Sequence, residues 1–406
     1  MKTNMGNSIE DIELYIHIPF CVKKCNYCDF LSFAPDTFTN DLLTKEMYVN
    51  ALCSEIEFKS HIYGNNTVTS IFIGGGTPSS LETNYIVKIM DAINKSFNVS
   101  NDAEITIECN PGTVNFESLS VYKSLGINRL SFGLQSTDDN ELKALGRIHD
   151  YRSFLNSIDA TIKAGFDNYN VDLMYGLPGQ SLRTLRKSLS DVIRFNPKHL
   201  SVYSLIIEEN TPFYEKYNDD YINQCQGKIT SFLPKESELC EMTDFVKAFL
   251  KGRGYNQYEI SNYAKNGYEC RHNIGYWTRN QYIGMGLGAS SLYDETRYKN
   301  VTNIDDYIKN WSATNPTNEF EEVEKITKEE SMYEYMILGL RMNRGVSAEE
   351  FYNIYGRTLE NVYGSQIERL INRELLINDG NRIKPTPRGL ELQNIVARDF
   401  LYSNMA

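Results

Sequence analysis

The chain has 406 residues, room for one large domain with a smaller one beside it, and its 41% hydrophobic and 23% charged residues are ordinary for a globular protein. A formal net charge of −12 repels phosphate backbones and makes nucleic acid a poor partner. The stretch 1–11 is polar, and no apolar run approaches the ~20 residues needed to span a bilayer. The expectation is therefore a cytoplasmic protein that does not cross a membrane.

From residue 13 to about 207, short β-branched runs alternate with helical stretches. Strands are predicted at 13–18, 69–73, 104–108, 129–132, 169–174 and 199–206, with long amphipathic helices such as 41–59 and 85–97 between them. Such alternation means parallel strands joined by right-handed crossovers. Cys21, Gly74, Gly75, Gly76, Glu108, Gln135 and Asp172 all fall at or just after the ends of these strands. A parallel barrel gathers its active site there. An open doubly wound sheet also collects ligands at that edge, so the pattern favours a barrel of six units without requiring one. Residues 208–240 read as a polar, irregular insertion followed by a helix. Residues 252–291, rich in Gly, Tyr and Asn, read as loops and short strands against the barrel opening.

The polar run from Ser312 to Asn318 marks a boundary. It separates a barrel domain over 1–310 from a C-terminal domain over 320–406. The latter is predicted to hold a helix over 328–342 and a second one capped by Ser347 with Glu350 three residues on. A third helix reaches about 373, then a hairpin turns at Asp379-Gly380 and a last helix starts at Pro387. Helices followed by a hairpin suggest a winged-helix-like module. Residues 328–406 carry ten Lys/Arg against eleven Asp/Glu, so packing or partner contact is expected of it rather than DNA binding.

Eight cysteines in a chain without an export signal are expected to be reduced thiols. Cys53, Cys109, Cys225, Cys240 and Cys270 are scattered singly. Cys21-Val-Lys-Lys-Cys25-Asn-Tyr-Cys28 instead puts three thiols directly after a predicted strand. Structural zinc wants four closed ligands, and the sequence offers no second CxxC or HxxxH pair. A [4Fe–4S] cluster takes four ligands, usually cysteines; three from the protein leave one iron for a ligand from outside.

Tyr15-Ile-His-Ile-Pro-Phe-Cys21-Val-Lys-Lys-Cys25-Asn-Tyr-Cys28-Asp-Phe30 resembles the opening of the radical S-adenosylmethionine (SAM) family of oxygen-independent coproporphyrinogen III oxidases and their heme-chaperone relatives. Gly74-Gly75-Gly76-Thr77-Pro78, Glu108-Cys-Asn-Pro111, Arg129-Leu-Ser-Phe-Gly-Leu-Gln135-Ser136, Leu145-Gly-Arg147-Ile-His149 and Asp172-Leu-Met-Tyr-Gly-Leu-Pro-Gly-Gln180 follow in family order. His272-Asn-Ile-Gly-Tyr276-Trp277 comes last, so the resemblance covers most of the chain. It implies a partial (βα)6 barrel, a [4Fe–4S] cluster on Cys21, Cys25 and Cys28, and SAM on the open iron, cleaved by an electron from the cluster. Tyr15, Tyr27, Gly75, Gly76, Thr77, Glu108, Gln135, Arg147 and Asp172 match positions of the SAM site. The glycines are expected to turn backbone N–H groups toward a ligand, and Arg147 to grip a carboxylate bidentately.

The two branches of the family part at position 30, where the oxidases carry a further cysteine and this chain has Phe30. The short segment before the motif and His272-Asn-Ile-Gly-Tyr-Trp277 also resemble the heme-chaperone branch. That branch implies heme bound at His272, Tyr276 and Trp277, with the imidazole as axial ligand between flat walls; the bland alternative is a structural histidine in a Gly-rich loop. The expected function is to carry heme to an acceptor hemoprotein, respiratory hemoproteins being one class of candidate, with a homodimer as one form to be tested. The alternative is oxidative decarboxylation of coproporphyrinogen III, so whether the chain is an enzyme is left open here.

Overall fold

Alternation along the first strand sets the architecture. The computed structural model describes residues 10–401, so most of the polar stretch 1–11 lies outside the described residues. Strand β1 (Asp11–Ile18) buries Ile12, Leu14, Ile16 and Ile18 completely on one face. It turns Glu13, Tyr15 and His17 to the other, as a two-residue period requires. Strands β2 (Thr67–Gly75), β3 (Asn98–Cys109), β4 (Arg129–Gln135), β5 (Tyr169–Tyr175) and β6 (His199–Ser204) follow, each parallel to the one before. Helices such as Asp41–Tyr63 and Thr83–Ser96 cover their outer face. This is the partial (βα)6 barrel expected from the sequence.

The inner face is polar. Glu13, Glu104, Arg129, His199 and Asp172 line up along it, and the first four are buried to 8% exposure or less. Asn170 ties the strands together here, donating to Ser131 Oγ (2.9 Å) and pairing with His199 Nδ1 (2.7 Å). Buried charges persist only where such partners surround them.

Past the barrel, β7 (Asn256–Gln257) and β8 (Asn262–Ala264) extend the sheet antiparallel from β6, while β9 (Tyr282–Met285) joins β1 in parallel. Strands β10 (Ser290–Tyr293), β11 (Thr296–Asn300) and β12 (Phe320–Lys325) complete a twelve-stranded sheet. Two expectations need correction. The segment 208–240 is not irregular: Thr211 caps a helix over Pro212–Cys225, with Pro at its first turn, and a second helix runs over Glu236–Lys251. Residues 320–325 do not open the C-terminal domain, because β12 pairs with β11 in the large sheet.

The second core begins in the helix Lys328–Gly339 and gathers Met336, Phe351, Leu370, Val396 and Phe400. Strands β13 (Val346–Ser347), β14 (Leu376–Asn378) and β15 (Arg382–Pro385) form its small antiparallel sheet, with the hairpin turning at Gly380 in the left-handed region (φ 91°). Glu334 of the helix Lys328–Gly339 joins the two cores, accepting from Arg279 (2.9 Å) and Arg297 (2.7 Å).

A buried ion pair holds the first long helix to the far strands. Lys59 Nζ lies 2.7 Å from Glu55 Oε1, both side chains at 1% exposure or less, and donates to the Gly284 carbonyl at 2.9 Å. Glu55 also accepts from Gly286 N, Asn300 Nδ2 and Tyr307 Oη. Lys59→Met strands Glu55 among these donors and is expected to lower unfolding stability by about 3–5 kcal/mol, read from urea denaturation.

Candidate cluster and cofactor site

The loop after β1 is folded by its own backbone. Cys21 N donates to Phe33 O (2.9 Å) and Phe33 N to Pro19 O (2.7 Å), closing its base. Its far side is pinned where Asn26 N donates to Leu145 O (3.0 Å) and Phe213 N to Asn26 O (2.9 Å). Three free thiols, Cys21, Cys25 and Cys28, are half-buried on this loop. They line a cavity of about 300 Å³ at the C-terminal ends of the strands.

Thr77 Oγ1 donates to Cys21 Sγ (3.7 Å), and Arg147 Nη1 donates to Cys25 Sγ (3.3 Å). Burial pushes the Cys21 thiol up, and that of Cys28 to about 11. A thiolate here therefore needs positive charge beside it, which bound iron supplies. Among the described residues no three His, Cys, Asp or Glu side chains converge on a single ion. Three thiols on one loop leave a [4Fe–4S] cluster one iron open to a ligand from outside.

The same cavity collects Tyr27, Gly75, Gly76, Thr77, Glu108, Gln135, Arg147 and Asp172, nearly all of the predicted SAM set. Burial raises the carboxyls of both Glu108, to about 8, and Asp172, and the charge of Asp172 raises Glu108 further. Two such carboxyls suit a cationic ligand, whose ammonium and sulfonium charges offset the cost of ionising them. Gln135 sits in the left-handed region (φ 74°) and accepts from Tyr203 Oη at 2.9 Å.

Three readings change. Arg147 is not a free carboxylate fork: Nη2 donates to Asn110 Oδ1 (2.5 Å) and to the Gly133 carbonyl, while Nη1 faces Cys25, leaving buried Nε without a partner. The N–H groups of the glycine motif are also committed, Gly75 to Glu108 Oε2 (3.1 Å), Gly76 to Ile18 O (2.8 Å) and Thr77 to Phe20 O (2.7 Å). Glycine is required there by close approach instead, since a Cβ on Gly76 would lie 2.6 Å from the Phe20 carbonyl. Tyr15 is absent from this cavity. It stacks on Phe72 (centroids 6.4 Å apart) and faces a second one.

That second cavity, about 610 Å³, shares Phe30, Gly75 and Glu108 with the first. Its walls are aromatic: Tyr15 and Phe72 from the barrel interior, Tyr282 from β9, and Tyr276 and Trp277 from the helix Arg271–Trp277. This short helix plugs the N-terminal end of the barrel. Glu104 receives Cys270 Sγ (3.4 Å) and the backbone N–H of Arg271 and His272 (3.2 Å each). Gly275 lets the plug approach, because a Cβ there would fall 1.9 Å from Glu13 Oε1. Trp277 lies under the Arg341 guanidinium, 4.3 Å from its ring centre, and its buried Nε1 has no partner.

His272 is not presented as an iron ligand. At 1% exposure it is stacked on Phe72, with Nδ1 2.8 Å from Ser70 Oγ and Nε2 3.0 Å from Tyr276 Oη. Burial and Arg129 push its pKa down to about 3, so it is neutral. Both nitrogens are committed inside the protein. Sequence reasoning also missed His17, Phe72, Asn110 and Glu104. Strand alternation from Tyr15 pointed to His17, and Asn110 lay unremarked inside a motif already recognised; Glu104 carried no signal.

A parallel partial barrel with three thiols on the loop after its first strand defines a radical SAM protein. Residues 15–192 match the radical SAM superfamily and 326–392 the HemN C-terminal domain. The chain is 37% identical over 388 residues to heme chaperone HemW of Bacillus subtilis, covering 95% of this chain and 98% of that one. Heme chaperone HemW of Lactococcus lactis is 35% identical, covering 96% and 97%. The chain belongs to the HemW family. Coproporphyrinogen III oxidase HemN of Escherichia coli shares the fold at TM-score 0.82 over 97% of this chain and 90% of that one, at 21% identity. Membership of the superfamily brings a [4Fe–4S] cluster and SAM.

Anaerobic reconstitution is expected to load about four irons per chain. Ala at Cys21, Cys25 or Cys28 should abolish this, whereas Cys53→Ala and Cys240→Ala should retain it. Full iron content in Cys25→Ala contradicts the assignment.

Proposed function

We propose that this protein is a heme carrier, which binds heme in the aromatic cavity beside the cluster and delivers it to an acceptor hemoprotein. The carrying observation is that Tyr276 and Trp277 wall a cavity contiguous with the one holding the three thiols. A volume of about 610 Å³ is in the range of cofactor sites, and flat apolar walls suit a macrocycle. The relatives named heme chaperone support the same reading.

In this proposal Cys21, Cys25 and Cys28 hold the cluster. Glu108 and Asp172 meet the cationic groups of SAM, while Gly75, Gly76, Thr77, Gln135 and Tyr27 shape its walls. Arg147 stabilises the cluster by directing a cation at the Cys25 sulfur. When bound, SAM on a reduced cluster is a source of one-electron chemistry. Phe30 (61% exposed) and Ile206 (55% exposed) stand at the cavity rim, an apolar contact for an acceptor or a second copy of the chain. Among the described residues no helix is long and apolar enough to cross a membrane, which agrees with a protein working in the cytoplasm.

The oxidase reading gains no support from likeness of fold, and Phe30 stands where the oxidases carry cysteine. Reconstituted protein with SAM, reductant and coproporphyrinogen III is expected to give no vinyl product by chromatography; turnover above a cluster-free control would replace the carrier by an enzyme. Heme titration should give a saturable Soret shift with or without the cluster. Trp277→Ala should weaken heme binding about tenfold by removing one wall; unchanged affinity would move the site elsewhere.

A further inference from the structure

Two tyrosine–histidine pairs stand at the aromatic cavity, Tyr15 and His17 in its wall and Tyr276 in its wall with His272 behind it, and their hydrogen bonds run in opposite senses. Tyr15 Oη lies 3.0 Å from His17 Nδ1, and His17 Nε2 lies 2.8 Å from the Leu31 carbonyl. A carbonyl only accepts, so His17 carries its proton on Nε2 and Nδ1 accepts from Tyr15. A Tyr15 phenolate would face a lone pair. The second pair lacks that constraint. His272 Nδ1 faces the Ser70 hydroxyl (2.8 Å) and, more distantly, Glu13 Oε2 (3.5 Å); a hydrogen bond donated to Nδ1 by Ser70 leaves the imidazole proton on Nε2, 3.0 Å from Tyr276 Oη. A phenolate at Tyr276 would receive an N–H hydrogen bond from a ring locked by Ser70 and Phe72.

Among the described residues the cavity offers iron no uncommitted imidazole nitrogen. His17 uses both ring nitrogens, and His272 lies behind Tyr276 with both of its own engaged. Tyrosinate, in contrast, is a competent axial ligand of ferric heme.

We propose that Tyr276 Oη is the axial ligand of ferric heme and that His272 is its positioning residue, donating through Nε2 to the bound phenolate. This rests on the carrier reading and deepens it. On binding, the O–H bond of Tyr276 breaks and an O–Fe bond forms. The proton leaves to solvent, and the iron stays ferric, so no electron moves. His272 then acts as a metal ligand's hydrogen-bond partner acts elsewhere, fixing orientation and supporting the charge on the donor atom.

The test is titration of the full-length, cluster-loaded protein with ferric heme, followed by difference absorption and resonance Raman spectra. The wild type should show a phenolate-to-iron charge-transfer band and phenolate vibrations; heme bound without them overturns the ligand assignment with no variant needed. Tyr276→Phe should lose both signatures and bind ferric heme about tenfold to a hundredfold more weakly. An unchanged spectrum in that variant also overturns the proposal while leaving the carrier reading intact. His272→Ala should shift the band and weaken binding about tenfold, and His272→Gln, whose amide can still donate, should restore the band position. A band unmoved in His272→Ala removes His272 from the role. Failure of the wild type to bind heme saturably would instead defeat the carrier reading itself.

Discussion

The hydrogen bond from Gly75 N to Glu108 Oε2, 3.1 Å long, joins the ends of β2 and β3 and stands between the two cavities. It exists because Gly75 holds φ at +115°, and because any Cβ there would strike the His17 ring at 2.6 Å. On one side of it lie the three thiols and the carboxyls of Glu108 and Asp172; on the other lie Tyr276, Trp277 and the helix Lys328–Gly339 bearing Glu334. In the proposed reading a cofactor and a cargo share this one partition. That is the physical basis on which a radical SAM barrel can be put to carrying heme.

The barrel interior shows how such a partition is supported. An apolar lumen would pack more simply, yet here Glu13, Glu104, Arg129 and His199 are buried together: Glu104 accepts from the start of the plug helix and His199 pairs with Asn170, while Glu13 Oε2 and Arg129 Nε have no hydrogen-bond partner. Packing of the apolar outer face carries the stability, while the polar lumen fixes where the plug sits. Gly275 against Glu13 and Glu104 against the start of the helix leave it one seat. With the plug seated, Tyr276 and Trp277 line the second cavity.

The strands and their order were legible because hydrophobic alternation and strand–helix spacing are local properties. The cysteine loop was legible because three thiols in eight residues admit few uses. What stayed hidden was non-local. Nothing near Arg147 in sequence says that Asn110 and Gly133 hold it against Cys25. Tyr15 lies six residues before the cluster motif, but strand direction carries its ring into the other cavity. His272 read as a ligand because an imidazole beside Tyr and Trp suits heme; only Ser70 and Phe72, two hundred positions away, show it committed within the protein. The irregular reading of 208–240 missed a helix because its polar residues mask the cap that Thr211-Pro212 provides.

The most direct measurement of the central claim is magnetic: the relaxation rate of the reduced cluster's electron paramagnetic resonance signal with a paramagnetic porphyrin bound. Manganese protoporphyrin, reduced together with the cluster, serves as the paramagnetic cargo, and zinc protoporphyrin as its diamagnetic control. If cargo occupies the cavity across the Gly75–Glu108 partition, manganese porphyrin should speed cluster relaxation markedly and zinc porphyrin should leave it unchanged. Stoichiometric binding of manganese porphyrin with no change in relaxation would place the cargo far from the cluster and contradict the account.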